Sequence, residues 1–128
     1  MRCLDSTFCI DHLRGDPGAE RRIRELECAG ERLAVAAPPL TEFLVGAHAP
    51  GGRRLASALE FVAQLEVLPV TGEIAMEAAR LGGECDRNGG TIGNLDLVIG
   101  ATAKAHNAIL LSRDDDFSRI PGVAVERY

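Results

Sequence analysis

The sequence predicts an α/β fold in which helices cover both faces of a mostly parallel sheet, a three-layer αβα sandwich. Short apolar segments alternate with helix-like segments along the 128 residues, as expected when strands are joined by helical crossovers. The apolar segment at 109–112 shows no alternation of polar and apolar residues, which is typical of a strand buried on both faces. The length is that of one domain, so we expect a single domain over residues 1–128.

Two strands are predicted in the first half of the chain. Residues 1–4 form a short apolar strand that ends before Asp5, and residues 33–36 form a second one that Pro38 and Pro39 stop. Helices are predicted where apolar residues recur at helical spacing and where prolines suit a helix start. They lie at 6–14, 19–29 and 40–47 and around 55–62.

The second half alternates in the same way. Strands are predicted at 67–70, 109–112 and 123–126, and helices at 72–87 and 96–106. Pro69 indicates that its strand lies at an edge of the sheet, because proline donates no ladder hydrogen bond. Asn94 is the expected N-cap of the last helix.

The composition excludes several classes of protein. A formal net charge of −5, with 46% hydrophobic and 26% charged residues, is ordinary for a globular chain and unlike a disordered, fibrous or basic nucleic-acid-coating one. No apolar run approaches the roughly 20 residues that span a bilayer, so we expect no membrane segment. Asp5, Asp11 and His12 interrupt the apolar N-terminal stretch, which disfavours a signal peptide and makes the cytoplasm the expected location.

The four cysteines offer no metal or redox motif. Their spacings contain no CxxC pair, and each lies in an apolar stretch. We therefore predict that all four are small buried hydrophobic residues. They are Cys3, Cys9, Cys28 and Cys85.

Acidic residues follow the predicted strands. Asp5 ends the first strand, Asp114 follows the strand at 109–112, Asp96 begins an apolar helix, and Glu42 stands in the helix after the second strand. Ligands of parallel sheets bind outside the carboxyl ends of the strands, and clustered carboxylates repel one another unless a cation joins them. Oxygen ligands without histidine or cysteine favour Mg²⁺ or Mn²⁺ over zinc.

Each acid also has a simpler interpretation when it is taken alone. Asp5 could cap the next helix, Asp96 could stabilise a helix N-terminus, and 114–116 could be a solvated turn. Glu42 has the weakest alternative, because its apolar neighbours predict an apolar setting. The joint order of the acids relative to the strands favours a shared site.

Three segments resemble the sequence blocks of PIN domains, in the order of that family. They are MRCLDSTFCIDHLRG, PLTEFLVG and IGNLDLVIGATAKAHNAILLSRDDDFSRIPGVAVERY. The compact length most resembles the VapC-type toxins of toxin–antitoxin pairs. Two positions depart from the family pattern: Pro39 stands where a threonine is usual, and Thr91 where a basic residue is frequent.

The resemblance implies a set of site residues. Metal-binding and catalytic acids are expected at Asp5, Glu42, Asp96 and Asp114, with Asp116 as the alternative or auxiliary fourth acid. Supporting polar residues are expected at Thr7, Asn94 and Ser112. Arg14, Arg113 and Arg119 are the nearest candidates for substrate contacts, although a solvated surface arginine is the favoured interpretation of each.

The resemblance also implies an activity and partners. The expected reaction is hydrolysis of RNA phosphodiester bonds, with one or two Mg²⁺ or Mn²⁺ ions that activate a water molecule. A VapB-type antitoxin is expected to dock on the helices at 19–29 and 40–65, and a homodimer is usual in the family. A catalytically silent PIN-like scaffold that binds a protein remains the alternative. An aspartyl-phosphate receiver ranks low, because Lys104 lies a helix length from Asp96.

Overall fold

A five-stranded sheet with all strands parallel forms the centre of the computed structural model, which describes residues 1–128. The strands are Arg2–Leu4 (β1), Leu33–Ala36 (β2), Glu66–Leu68 (β3), Ile109–Leu111 (β4) and Val125–Glu126 (β5). Their order across the sheet is β3-β2-β1-β4-β5. The predicted parallel sheet is confirmed, and β3 is an edge strand, as Pro69 predicts.

Six α-helices connect the strands. They are Ser6–Leu13 (α1), Pro17–Cys28 (α2), Ala37–His48 (α3), Gly52–Val62 (α4), Gly72–Arg87 (α5) and Asn94–Ala105 (α6), and a 3-10 helix follows at Asp115–Arg119. Side-chain caps start three of them: Asp5 accepts from the Ser6 amide in α1, Asp16 from the Ala19 amide in α2, and Thr71 from the Ile74 amide in α5. No helix combines the length and the apolar composition that crossing a bilayer requires.

The helices form two layers because successive strand residues point to opposite faces of the sheet. Leu4 and Leu111 pack against apolar residues of α1, α2, α3 and α4. Cys3 and Leu110 pack against residues of α5, α6 and the 3-10 helix. The three-layer αβα sandwich is therefore confirmed.

Two local predictions are wrong. Asn94 is the first residue of α6 and not its cap, because Gly93 takes the N-cap backbone conformation and supplies no side-chain hydrogen bond. Cys28 is exposed at the end of α2, whereas the other three cysteines are buried; all four are free thiols. The helical period places position 28 on the outer face of α2, two residues beyond the buried Leu26.

The register of the sheet brings the strand ends together. Leu4 in β1 pairs with Val35 in β2 on one side and with Leu111 in β4 on the other. The residues that follow these strands, Asp5 and Ser112 among them, therefore leave the sheet at one edge. This edge carries the candidate site.

Candidate metal centre

Asp5 is a buried carboxylate held by hydrogen bonds on both oxygens. It is the N-cap of α1 and only 6% exposed. Its Oδ1 accepts from the Ser6 amide at 2.7 Å, and its Oδ2 accepts from the Ser112 hydroxyl at 2.8 Å. Because Leu4 and Leu111 are register partners, Asp5 and Ser112 are neighbours across the sheet. Asp5 thus both caps α1 and contributes a carboxylate to the candidate site.

Ser112 connects Asp5 to the next acid along the chain. Its side chain is fully buried, and its hydroxyl oxygen accepts from the Asp114 amide at 3.1 Å. Asp114 in turn caps the 3-10 helix, with its Oδ1 accepting from the Asp116 amide at 2.9 Å. A continuous chain of hydrogen bonds therefore runs from Asp5 to Asp116.

Three carboxylates form a group suited to a cation. Asp96, Asp114 and Asp116 each offer an oxygen atom within 4.8 Å of the other two. Ligand oxygens on opposite sides of Mg²⁺ lie about 4.2 Å apart, twice the usual bond length. The donors are all oxygens, with no histidine or cysteine among them. The residues present therefore fit a hard divalent cation.

The electrostatics of the acids show how closely they interact. Burial raises the pKa of Asp5, against the hydrogen bonds from Ser112 and Ser6, and the charges of Glu42 and Asp114 raise it further. Burial also raises the pKa of Asp96, which the charges of Asp114, Asp5, Asp116 and Glu42 raise in addition. All five acids thus act on one region of space. Such mutual repulsion is what a bound cation relieves.

Glu42 does not have the apolar setting that its neighbours in the sequence predict. It is exposed, whereas the adjacent Phe43 is buried. The reason is the rotation of about 100° between successive helix residues, which turns position 42 away from the core that Phe43 enters. Its charge nevertheless acts on Asp5 and Asp96, so Glu42 borders the same region.

Two of the expected supporting polar residues stand elsewhere. Thr7 is exposed on α1, and Ser6 is the residue that contacts Asp5 through its amide at 2.7 Å. Asn94 is exposed and borders a shallow groove between α5 and α6 with Ala75 and Leu97. The sequence did signal Ser6, a hydroxyl residue directly after the first acid. Ser112 is the one member of the predicted trio that touches a site acid.

The three candidate substrate arginines differ in their surroundings. Arg119 donates from Nη1 to Asp116 Oδ1 at 2.8 Å, so it lies beside the acid group. Arg113 is bound to Asp11 and to Asp16, away from the acids. Arg14 is exposed beside a small apolar cleft that Phe43 helps to line. The structure thus brings Arg119 to the site and engages Arg113 elsewhere.

Asp115 is the solvated member of the 114–116 triplet. Its side chain is 82% exposed and forms an ion pair with Arg127. Asp114 and Asp116 flank it, and both belong to the carboxylate group. The structure therefore separates one turn residue from two candidate ligands.

Comparisons with known proteins point to one family. The PIN domain family model matches residues 2–123. The chain is 32% identical to ribonuclease VapC19 of Mycobacterium tuberculosis, over 88% of this chain and 87% of the relative. It is 28% identical to the tRNA(fMet)-specific endonuclease VapC of Salmonella typhimurium, over 98% and 96%.

Solved structures share the fold. The VapBC2 structure of Rickettsia felis, bound to a DNA fragment from its promoter, superimposes with a TM-score of 0.83 over 99% of this chain and 98% of that one, at 23% identity. The VapBC-5 structure of Mycobacterium tuberculosis is 33% identical, with a TM-score of 0.61 over 75% and 80%.

The raised pKa values of Asp5 and Asp96 predict a pH-dependent stability. The native state binds these protons more tightly than the unfolded chain does. Proton binding therefore contributes fully to the free energy of unfolding below the pKa of the unfolded chain, and this contribution is lost as the pH rises through the native pKa. In metal-free protein at pH 7.5, Asp96→Asn should therefore raise Tm. The gain should shrink as the pH falls towards about 4, the pKa of an unperturbed aspartate.

Thermal melts in EDTA across this pH range measure the effect. Asp86→Asn is the matched control, because Asp86 is exposed on α5 and outside the acid group. A Tm for Asp96→Asn at or below that of the unsubstituted protein at pH 7.5 contradicts the prediction.

Proposed function

Because this chain belongs to the PIN-domain family, we propose that it is a metal-dependent endoribonuclease and the toxin of a toxin–antitoxin pair, built as a single domain over residues 1–128. The observation that carries the proposal is the group formed by Asp96, Asp114 and Asp116, with oxygens within 4.8 Å, beside the buried Asp5. The names of the VapC relatives support the activity.

The acids would contribute to cation binding in two groups, which differ in how directly they contact the ion. Asp96, Asp114 and Asp116 would supply the nearest oxygens, and Asp5 and Glu42 would complete the site directly or through water. Mg²⁺ is the proposed ion and Mn²⁺ its substitute, because both prefer carboxylate and water oxygens. When bound, such an ion lowers the pKa of a water molecule and neutralises charge on the scissile phosphate.

Ser112 is better suited to positioning than to binding the ion. Its hydroxyl proton is donated to Asp5, and its oxygen accepts from the Asp114 amide. Both interactions hold the acids at fixed places relative to each other. We therefore assign Ser112 and Ser6 to the orientation of Asp5, which keeps a lone pair of each oxygen available.

Arg119 is the proposed contact to an RNA phosphate. Its side chain is 48% exposed and bound to Asp116, so a cation that engages Asp116 would release the guanidinium next to the reacting phosphate. Arginine forks match phosphate oxygens well. Arg14 remains a weaker candidate, and Arg113 is already engaged by carboxylates.

Without the ion, the acids would repel RNA, so RNA binding should also require the metal.

A VapB-type antitoxin is the proposed protein partner, since the structural neighbours include VapBC complexes. A cleft of about 460 Å³ lies between α2 and α4, within the helices for which docking is expected. Its lining includes the apolar side chains of Ile23 and Phe61 and the acidic ones of Glu20, Glu27 and Glu60. A helix or tail with apolar and basic residues would complement it.

A homodimer is the proposed assembly of the chain. Large apolar side chains are exposed on three helices: Val45 on α3 is 65% exposed, Met76 on α5 75% and Leu95 on α6 54%. Burial of such side chains against a second copy would remove apolar surface from water. The alternative, a silent scaffold, would also bind a partner but would not cleave RNA.

Incubation of total RNA with the protein and Mg²⁺, followed by mapping of new RNA ends, tests the activity. Asp5→Asn and Asp96→Asn should each lower the cleavage rate by about 100-fold or more, because loss of a carboxylate weakens the grip on the ion. Omission of the ion should have the same effect.

Asp86→Asn serves as the control and should cleave like the unsubstituted protein. Undiminished Mg²⁺-dependent cleavage by Asp96→Asn contradicts the assignment of the site. No cleavage by the unsubstituted protein under any of these conditions supports the scaffold alternative.

Charge reversal tests the cleft. Glu27→Lys combined with Glu60→Lys should weaken co-purification with the small protein of the neighbouring reading frame by about tenfold at low salt, whereas Glu73→Lys on the opposite layer should not. Equal recovery of both variants contradicts docking in this cleft.

Light scattering on the chain alone tests the homodimer and should give about twice the 13.6 kDa mass of one chain.

A further inference from the structure

Arg113 stands between two residues of the candidate site, Ser112 and Asp114, but its side chain binds residues outside that site. Its Nη1 donates to Asp11 Oδ2 at 3.1 Å and its Nη2 to Asp16 Oδ1 at 3.2 Å. Its Nε donates to the backbone carbonyl of Tyr128 at 3.3 Å. One guanidinium therefore joins the segment that carries the acids to α1, to the start of α2 and to residue 128.

Tyr128 completes this set of contacts. Its ring lies under the Arg113 guanidinium, 4.2 Å from ring centroid to Cζ, and meets the fully buried Phe8 edge-on at 4.6 Å. Its hydroxyl donates to Asp11 Oδ2 at 2.8 Å. Burial and this hydrogen bond raise the pKa of the Tyr128 phenol, so the hydroxyl stays a donor at neutral pH.

The residues around the guanidinium leave it a defined place. Asp16 Oδ1 is already fixed, because it caps α2 by accepting from the Ala19 amide at 2.9 Å. Gly18 lies so close that a Cβ there would be 3.1 Å from Arg113 Nη2. Arg113 thus packs against the start of α2, next to Gly18 and to the Asp16 carboxylate that caps the helix.

These contacts bear on the metal site through α1. Asp5 caps α1, and Phe8 and Asp11 belong to the same helix. Ser112 and Asp114 flank Arg113 in the chain. Two connections therefore link Asp5 to Asp114. One is the Ser112 hydroxyl, which contacts both residues, and the other is the bond from Arg113 to Asp11 of α1.

We propose that Arg113 and Tyr128 form a clamp that positions Ser112 and Asp114 relative to Asp5 and thereby sets the affinity of the site for its divalent cation. This inference rests on the proposed function, since it concerns the same acids. Both members are positioning residues: neither touches a candidate ligand atom. Loss of the clamp would leave the exposed Asp114 on a looser segment, and a mobile ligand binds its ion less tightly.

Titration with Mn²⁺, followed by electron paramagnetic resonance of the free ion, tests the clamp at a temperature where every variant is folded. Arg113→Met should raise the Kd for Mn²⁺ by about tenfold or more, in the range found for residues that orient metal ligands. Tyr128→Phe keeps the ring contacts and removes one hydrogen bond, so it should give a smaller rise in the same direction.

Two controls separate positioning from charge and from general stability. Arg80→Met removes an exposed arginine of α5 that pairs with Glu77 and Glu84, and Leu26→Ala destabilises the buried face of α2. Both should keep the affinity for Mn²⁺ within about twofold, because Arg80 lies on the other layer of helices and Leu26 lies near the end of α2 opposite to Asp16. If Arg113→Met does not fold, Tyr128→Phe and Tyr128→Leu carry the test.

The outcomes distinguish this inference from the proposed function. Unsubstituted affinity in Arg113→Met, or in both Tyr128 variants, overturns the clamp. An equal loss in Leu26→Ala also overturns it, since the effect would then follow stability alone. Tight Mn²⁺ binding that depends on Arg113, with no RNA cleavage, supports the clamp and overturns the ribonuclease. No Mn²⁺ binding by the unsubstituted protein overturns both.

Discussion

Negative charge is concentrated at the carboxyl edge of one parallel sheet, and this concentration is the constraint on which the surrounding structure depends. Asp96, Asp114 and Asp116 offer oxygens within 4.8 Å of one another, and burial, together with the charges of Glu42 and Asp114, raises the pKa of Asp5. Arg119 forms the only ion pair with any of them, at Asp116. Two of the other acids accept hydrogen bonds instead: Asp5 accepts from Ser6 and Ser112, and Asp114 accepts from the Asp116 amide. Such donors fix carboxylates in place without neutralising them. The site therefore remains attractive to a cation.

The sheet register makes this arrangement possible. Because β1 lies between β2 and β4, with Leu4 opposite both Val35 and Leu111, the residues after these strands are neighbours although they are far apart in the chain. The buried strands then act as a rigid support for Asp5 and Ser112, while Asp114 and Asp116 lie on an exposed segment that needs its own restraint. The proposed cation site thus combines acids on buried strands with acids on an exposed segment.

Much of this organisation could be predicted from the sequence. The bounds of β2 and α5 agree with the predicted 33–36 and 72–87, because prolines mark the end of the strand and helical periodicity marks the helix. The order of acids after strands predicted that they would share one edge. Side-chain direction could not be predicted in the same way. Glu42 is exposed despite apolar neighbours, Ser6 rather than Thr7 contacts Asp5, and Arg113 binds Asp11 and Asp16, which depend on helix rotation and on long-range contacts.

We propose that the carboxylates at this edge form a divalent-cation site. A crystal structure of the protein soaked with Mn²⁺, with data collected at the manganese absorption edge, tests it most directly. We expect an anomalous peak within about 2.5 Å of carboxylate oxygens of Asp96 and of at least one of Asp114 and Asp116, with Asp5 adjacent. Anomalous density that is absent from this edge, or that lies only on other surface acids, would contradict it.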